Sequence, residues 1–261
     1  MEKTFKYLSM AALTVVAAVL TAACSNDGDM EPSQAPHHVV TSKVTVRMGN
    51  GDLTRALTED GVKTFAVGEQ IAVHYGDQFK SLSEPLTSAD IHEGGKSADF
   101  TVTMPYAKEN TNCTIVYPAA SMPDYYYDWN YIKTAQNGSF TSLTTNIEAA
   151  IYDGHLNGFN LPSPIELENK MAILKLKIKD ADTGNDITSS VTKLVLISGG
   201  DVYYTVTPTS PLSTIYVAVW TVSFNLTFIA TVGGETYTKT VNPLTLNKGK
   251  IYPINVSVVK Q

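Results

Sequence analysis

Three features of the amino-acid sequence predict an all-β fold. From Val39 onward apolar and polar residues alternate in short runs, turn-forming Gly, Asn and Asp separate those runs, and no stretch of a dozen residues carries a convincing helical stripe. The first run is residues 44–48, where Val44, Val46 and Met48 alternate with Thr45 and Arg47. Further runs at residues 71–75, 100–104, 113–117, 173–178, 191–197, 202–206, 215–219, 224–231 and 251–259 read the same way. Between them, Asn50-Gly51-Asp52, Gly94-Gly95, Asn137-Gly138, Ser198-Gly199-Gly200 and Gly233-Gly234 supply the positive φ that tight hairpins need. Short helical turns are expected only at residues 87–91 and 145–151, too short to organise a fold.

The rhythm of the runs predicts two sandwiches. Between Pro118 and Pro164 the alternation fades into Pro, Asp, Asn, Gly and aromatic residues, the composition of a long decorated loop followed by a connection. The boundary is placed within residues 161–168. That gives an N-terminal sandwich over residues 43–163, whose first strand and following loop are residues 43–63, and a C-terminal sandwich over residues 164–261. In the second half strands recur about every ten residues, as in a seven-stranded sandwich.

The front of the chain reads differently. Lys3 and Lys6 precede an apolar run over residues 8–20, closed by Thr21-Ala22-Ala23 directly before Cys24. A basic start, a short apolar stretch and small residues at its end are the layout of a secretory signal peptide over residues 1–23. The run falls short of the roughly 20 residues a spanning helix needs. Small residues followed at once by a cysteine suit lipoprotein signal peptidase, so Cys24 is the expected lipid attachment site. Several acyl chains, each burying methylenes at about 0.8 kcal/mol apiece, give stable anchoring. Residues 24–42 then form a flexible tether. Asp27 and Asp29 behind the cysteine resemble the surface-export signal of Bacteroidales-type lipoproteins, which points to the outer face of the cell outer membrane.

Composition excludes several classes. A hydrophobic share of 43% supports a real core. The net charge is −6 and no basic cluster occurs, which argues against a nucleic-acid partner. Cys113 is left without a partner once Cys24 is acylated, so no disulfide framework is expected, and its strand-like surroundings mark it as a small buried hydrophobe.

Asp180, Asp182 and Asp186 resemble a calcium loop, but glycine falls at the fifth position and Val191 at the twelfth, where an EF-hand needs glycine sixth and an acid twelfth. A polar hairpin explains them better. His37, His38, His74, His92 and His155 lack the spacing of a zinc site. No nucleophile elbow, phosphate-cradling loop or metalloprotease helix is present, and nothing selects a pair of carboxylates for glycoside hydrolysis. The expectation is a protein that is not an enzyme, without cofactor or metal. The densest aromatic segment is residues 125–131, and it has two readings. Tyr125, Tyr127 and Trp129 could stack on sugar rings of a host or glycan ligand while Asp128 and Asn130 bind hydroxyls, or the segment is an amphipathic strand with alternate rings in the core.

Five segments together carry a family resemblance: Leu53-Thr54-Arg55-Ala56, Phe65-Ala66-Val67-Gly68-Glu69-Gln70-Ile71-Ala72-Val73, Tyr117-Pro118-Ala119, Lys170-Met171-Ala172-Ile173-Leu174-Lys175-Leu176 and Leu246-Asn247-Lys248-Gly249-Lys250-Ile251-Tyr252. In this order and spacing, behind a lipoprotein signal, the chain resembles the fimbrillin family, the subunits of Bacteroidales type V pili. The resemblance implies two transthyretin-like Greek-key β-sandwich domains in tandem. It further implies surface export, a cut by an arginine-specific protease after Arg55 with Ala56 as the new terminus, and loss of the first strand with its lipid. Removing that strand would expose the groove left by Val44, Val46 and Met48, at about 1.5 to 3 kcal/mol per buried side chain. Another fimbrial subunit could fill it by β-augmentation. The last strand is the candidate donor, with Ile254, Val256 and Val258 on one face. Head-to-tail repetition gives a filament that supports adhesion. Gln261 follows directly on the last strand, which leaves room for a pilus tip or an anchor that keeps its lipid, and the aromatic segment 125–131 keeps open a glycan-binding surface lipoprotein.

Overall fold

The computed structural model describes residues 38–47, 64–76, 78–121, 129–147, 149–220 and 223–261. Strand dominates them. The first core is built by β1 (His38–Arg47), β2 (Ala72–Tyr75), β3 (Phe79–Leu82), β4 (Ile91–His92), β5 (Ser97–Ala107), β6 (Asn112–Tyr117), β7 (Ala150–His155), β8 (Ile165–Glu166) and β9 (Glu168–Asn169). They form two sheets, ordered β4-β5-β1-β8 and β3-β2-β6-β7-β9. Alternation assigns the faces: Val44 and Val46 of β1 and Phe100, Val102 and Met104 of β5 turn inward, as do Val73 and Tyr75 of β2 and Cys113, Ile115 and Tyr117 of β6. Phe65 wedges between the layers, edge-on to Phe100 at 5.4 Å and to Tyr117 at 5.2 Å. Cys113 is buried as its sequence context predicts, and desolvation pushes its thiol up to about 11, so it stays protonated and acts as a hydrophobe.

The second core is built by β10 (Met171–Asp180), β11 (Val191–Ser198), β12 (Asp201–Val206), β13 (Ile215–Trp220), β14 (Ser223–Val232), β15 (Glu235–Thr245) and β16 (Ile251–Lys260). Their order is β12-β11-β14-β15-β16-β10-β13. The link between β15 and β16 is only Tyr237↔Lys260 and Thr238↔Val259, so the seven strands fall into two sets, β12-β11-β14-β15 and β16-β10-β13. Both sets contribute to one core, with Leu174, Leu176, Val256 and Val258 from one and Leu194, Leu196, Leu226 and Phe228 from the other. The arrangement is sandwich-like. β10 and β16 run parallel, from Ile173↔Ile251 to Asp180↔Val258.

The stretch read as a decorated loop departs most from expectation. It contains α1 (Trp129–Thr134) and α2 (Phe140–Asn146), so Trp129 and Tyr131 lie in helix rather than in an amphipathic strand. Ile132 and Leu143, with Ile147 just past α2, drop into the second core, although three strands of the first core, β7, β8 and β9, lie between them and it in sequence. α2 starts where Ser139, extended at φ −82° and ψ 142°, accepts a hydrogen bond from Ser142 N–H. The expected helical turn at residues 145–151 is displaced: the helix ends at Asn146 and β7 begins at Ala150. Asn137-Gly138 joins the two helices rather than two strands. Gly138 has φ +79°, and a Cβ there would come within 3.1 Å of Val206, Leu212 and Ile215, so only glycine lets the chain lie this close to β13.

Because helices cover its outer side, β13 is buried on both faces, and Ile215-Tyr216-Val217-Ala218-Val219 shows no polar alternation. The first strand also differs from expectation. It begins at His38, inside the segment read as a flexible tether, and His38 packs on Phe159 at 4.7 Å.

Candidate functional site

The sequence places its candidate chemistry on β1 and the loop behind it. β1 is an interior strand. Along one edge it pairs antiparallel with β5, from His38↔Ala107 to Arg47↔Ser97, with one irregularity between His38 and Val40. Along the other it meets β8 in parallel at Val46↔Ile165 and Arg47↔Glu166. Upstream of that short ladder, side chains take over: Thr45 N–H donates to Ser163 Oγ at 2.9 Å, and Leu161 N–H donates to the buried Ser42 Oγ at 2.9 Å. Val44 and Val46 are fully buried. Met48, the third residue expected in that row, lies outside the described residues.

The outer face of β1 is polar and converges on Asp99 of β5. Thr45 donates its hydroxyl to Asp99 Oδ1 at 2.7 Å, while Lys43 Nζ and His92 Nε2 stand 3.1 and 3.3 Å from Oδ2. Partial burial pushes the Asp99 carboxyl up, but the hydrogen bonds from Thr45, Lys43 and His92 outweigh it and hold it below its ordinary value. Two of these three partners sit on β1. The sequence pattern gave no sign of Asp99, because a cross-strand pair becomes visible only when the register between β1 and β5 is known.

Arg55 and Ala56 lie outside the described residues, in the stretch between Arg47 and Thr64. Its two ends are informative. β1 is buried on one side of the stretch and Phe65 on the other, at 3% exposure. Residues 48–63 are therefore the covalent link between β1 and the rest of its core.

Cys24, Tyr125 and Tyr127 likewise fall outside the described residues. Trp129 opens α1, and its side chain is not among those described; Tyr131 packs partly buried against the second core. At the other end of the chain, Val256 and Val258 are buried and Ile254 is half-buried, with Asn255 and Ser257 exposed between them. The alternation matches the sequence reading. The strand is seated on β10 within its own core.

Among the described residues no three His, Cys, Asp or Glu side chains come together as a metal site. Asp180 and Asp186 spend their carboxylates on the backbone instead: Asp180 Oδ1 accepts from Asp182 N–H at 2.9 Å, and Asp186 Oδ1 accepts from Thr188 N–H at 2.9 Å. They form a polar turn but not the hairpin expected between paired strands, because β10 and β11, which it connects, each pair with other strands.

No protein-family model matches the chain, and no curated protein sequence matches it. Among solved structures it is loosely similar to a candidate cell adhesion protein of Bacteroides uniformis, at 15% identity over 85% of this chain and 97% of that one, with a TM-score of 0.40. A candidate cell adhesion protein of Bacteroides ovatus is similar at 15% identity over 85% of this chain and 96% of the other, with a TM-score of 0.41. A fimbrial assembly protein of Parabacteroides distasonis is similar at 15% identity over 84% and 92%, with a TM-score of 0.38.

Proposed function

We infer that this chain is a structural subunit of surface fimbriae of the type V pilus kind, with two transthyretin-like sandwiches in tandem. In this reading it is exported as a lipoprotein anchored through Cys24, cut after Arg55 by an arginine-specific protease, and joined to other subunits by donor-strand complementation in support of adhesion. The observation that carries the reading is the seat of β1. A strand seated between β5 and β8, and joined covalently to the rest of its core only through residues 48–63, is a strand that one cut leaves held by non-covalent contacts alone.

Its loss would leave a defined vacancy. β5 would present an unpaired edge along the stretch that now faces residues 38–47, and the cavities of Val44 and Val46 would open, each side chain contributing about 1.5 to 3 kcal/mol when buried. A strand from a second subunit with the same alternation fits that groove. Ile254, Val256 and Val258 of β16 supply such an alternation, at the cost of leaving β10. A donor strand and an acceptor groove on different faces of one subunit build an open filament.

The test is an Arg55→Ala chain expressed in its native cell. The wild-type protein sheared from the surface is expected to start at Ala56 and to run as a detergent-resistant ladder, whereas the variant keeps its original amino terminus and stays out of fibres. Normal fibre incorporation by Arg55→Ala would overturn the cleavage step.

A further inference from the structure

One end of the first sandwich carries a cleft of about 540 Å³, within the size range of small-molecule sites. It is walled by the β2–β3 turn, the start of β3, the end of β5 with the β5–β6 turn, and His155 at the end of β7. Both sheets contribute to it. Tyr106 of β5 and Phe79 of β3 stack at 4.6 Å with an interplanar angle of 19°, and Tyr75 lies against Phe79 at 5.8 Å. Tyr106 remains 40% exposed, so aromatic surface stays open to a ligand.

Around this aromatic pair stand three primary amides, Gln78, Asn110 and Asn112. An amide both donates and accepts hydrogen bonds, as a sugar hydroxyl does, while the C–H face of a pyranose packs on an aromatic ring. Among the described lining residues there is no carboxylate, and the two side chains able to carry charge, Lys108 and His155, are basic.

The rim is also held in place. Asn110 sits at φ +55°, a conformation that asparagine tolerates better than most residues. It is clamped by two bonds: its N–H donates to Gly158 O at 2.8 Å and its Oδ1 accepts from Gly158 N–H at 3.0 Å. Leu156 N–H donates to Thr111 O at 2.8 Å, and Gly76 N–H donates to Asn112 O at 3.1 Å, tying the two turns to their neighbours. A rim fixed before binding loses little entropy when a ligand arrives.

We propose that this cleft binds a pyranose unit of a glycan, its ring against the Phe79–Tyr106 pair and its hydroxyls on Gln78, Asn110 and Asn112. The site goes beyond the assembly reading and does not depend on it, since none of its lining residues comes from β1 or from the loop that holds Arg55.

Saturation-transfer NMR on the full chain tests this, with galactose, mannose, fucose, N-acetylglucosamine and glucuronic acid offered one at a time. The expected result is transfer to the ring protons of at least one of these sugars. For that sugar, Tyr106→Ala and Gln78→Ala are each expected to weaken binding at least about tenfold, with circular dichroism and melting unchanged. Gln78 is exposed in a turn, so its variant decides the matter if Tyr106→Ala melts early. No transfer from any of the five sugars would overturn the proposal, and so would transfer undiminished in both variants, which would put binding elsewhere, as in the aromatic segment 125–131. An Arg55→Ala chain is expected to bind the sugar as the wild type does, so the failure of either reading can be recognised separately.

Discussion

Gln136 shows how much one side chain decides in this fold. It is 3% exposed, and its amide makes three hydrogen bonds: Nε2 donates to Ile132 O at 3.0 Å and to Ala218 O at 2.9 Å, while Oε1 accepts from Ala218 N–H at 2.9 Å. Toward β13 the side chain behaves as a strand would, satisfying the edge at Ala218 between the bonds that Tyr216 N–H makes to Gly138 O at 2.8 Å and Trp220 N–H makes to Tyr204 Oη at 2.7 Å. Its backbone carbonyl meanwhile accepts from Thr207 N–H at 3.0 Å just beyond β12, so one residue clasps both outermost strands of the second core. Gln136→Leu keeps the bulk and strands a buried N–H and C=O of Ala218, each costing about 1 to 3 kcal/mol when unsatisfied. Urea denaturation is expected to show a loss of about 2 to 4 kcal/mol; a loss below about 0.5 kcal/mol would mean that another group takes over the edge. Nothing in Thr134-Ala135-Gln136-Asn137 announces this role, because an amide's partners are chosen by tertiary neighbours and not by sequence spacing.

At the scale of elements, β1 combines a buried face, legible from Val44 and Val46, with an electrostatic hold on Asp99 that was not. Asp99 titrates below its ordinary value because Thr45, Lys43 and His92 outweigh its burial. A depressed carboxylate contributes stability that is present above the unfolded-state value of about 3.9 and is lost as pH falls through the lower folded-state value. Once the chain is nicked within residues 48–63, β1 is therefore expected to leave faster as pH falls below about 4, as native mass spectrometry would record. Asp99→Asn should flatten that dependence, and an equally steep profile in the variant would exclude Asp99 as its source.

β15 teaches the opposite lesson about legibility. Eleven residues long, it offers no apolar alternation to read, because all of it is exposed or half-buried. The short strands β3, β8 and β9 are illegible for another reason: two to four residues hold no period. α1 and α2 leave no signal in the sequence because, at six and seven residues, they are stabilised by docking on the second core and not by an amphipathic repeat of their own.

At the scale of the molecule, the crossing between the two cores is short. Ile165 and Leu167 belong to the first and Met171 to the second. Glu168 sits in this crossing and holds two lysines, Lys248 Nζ at 2.5 Å from the β15–β16 connection and Lys170 Nζ at 3.0 Å, with Asp153 of β7 3.8 Å from Lys170. The Lys248 and Lys170 hydrogen bonds hold the Glu168 carboxyl below its usual value, so this clasp too is present near neutrality and lost as pH falls through the lowered value. At 43% exposure it is screened by water and adds modestly. Glu168→Gln is expected to melt with a weaker dependence on pH than the wild type between about pH 6 and 3; parallel melting profiles would show that the clasp does not couple to stability.

The sequence by itself determined that the chain is β-rich, where most long strands run and which side chains they bury. Those properties are local, since alternation and turn chemistry act over a few residues. It also singled out the signal-like front, Cys24 and Arg55 as candidates for processing, because a processing signal would be a short linear motif. Only the tertiary structure decided that β1 is an interior strand clasped by β5 and β8, that residues 129–147 belong to the core following them, and that Phe79 and Tyr106 meet across two sheets above a ring of amides. Those facts depend on register and on which edges and faces come together, and side chains far apart in sequence acquire that geometry only when the sheets pack.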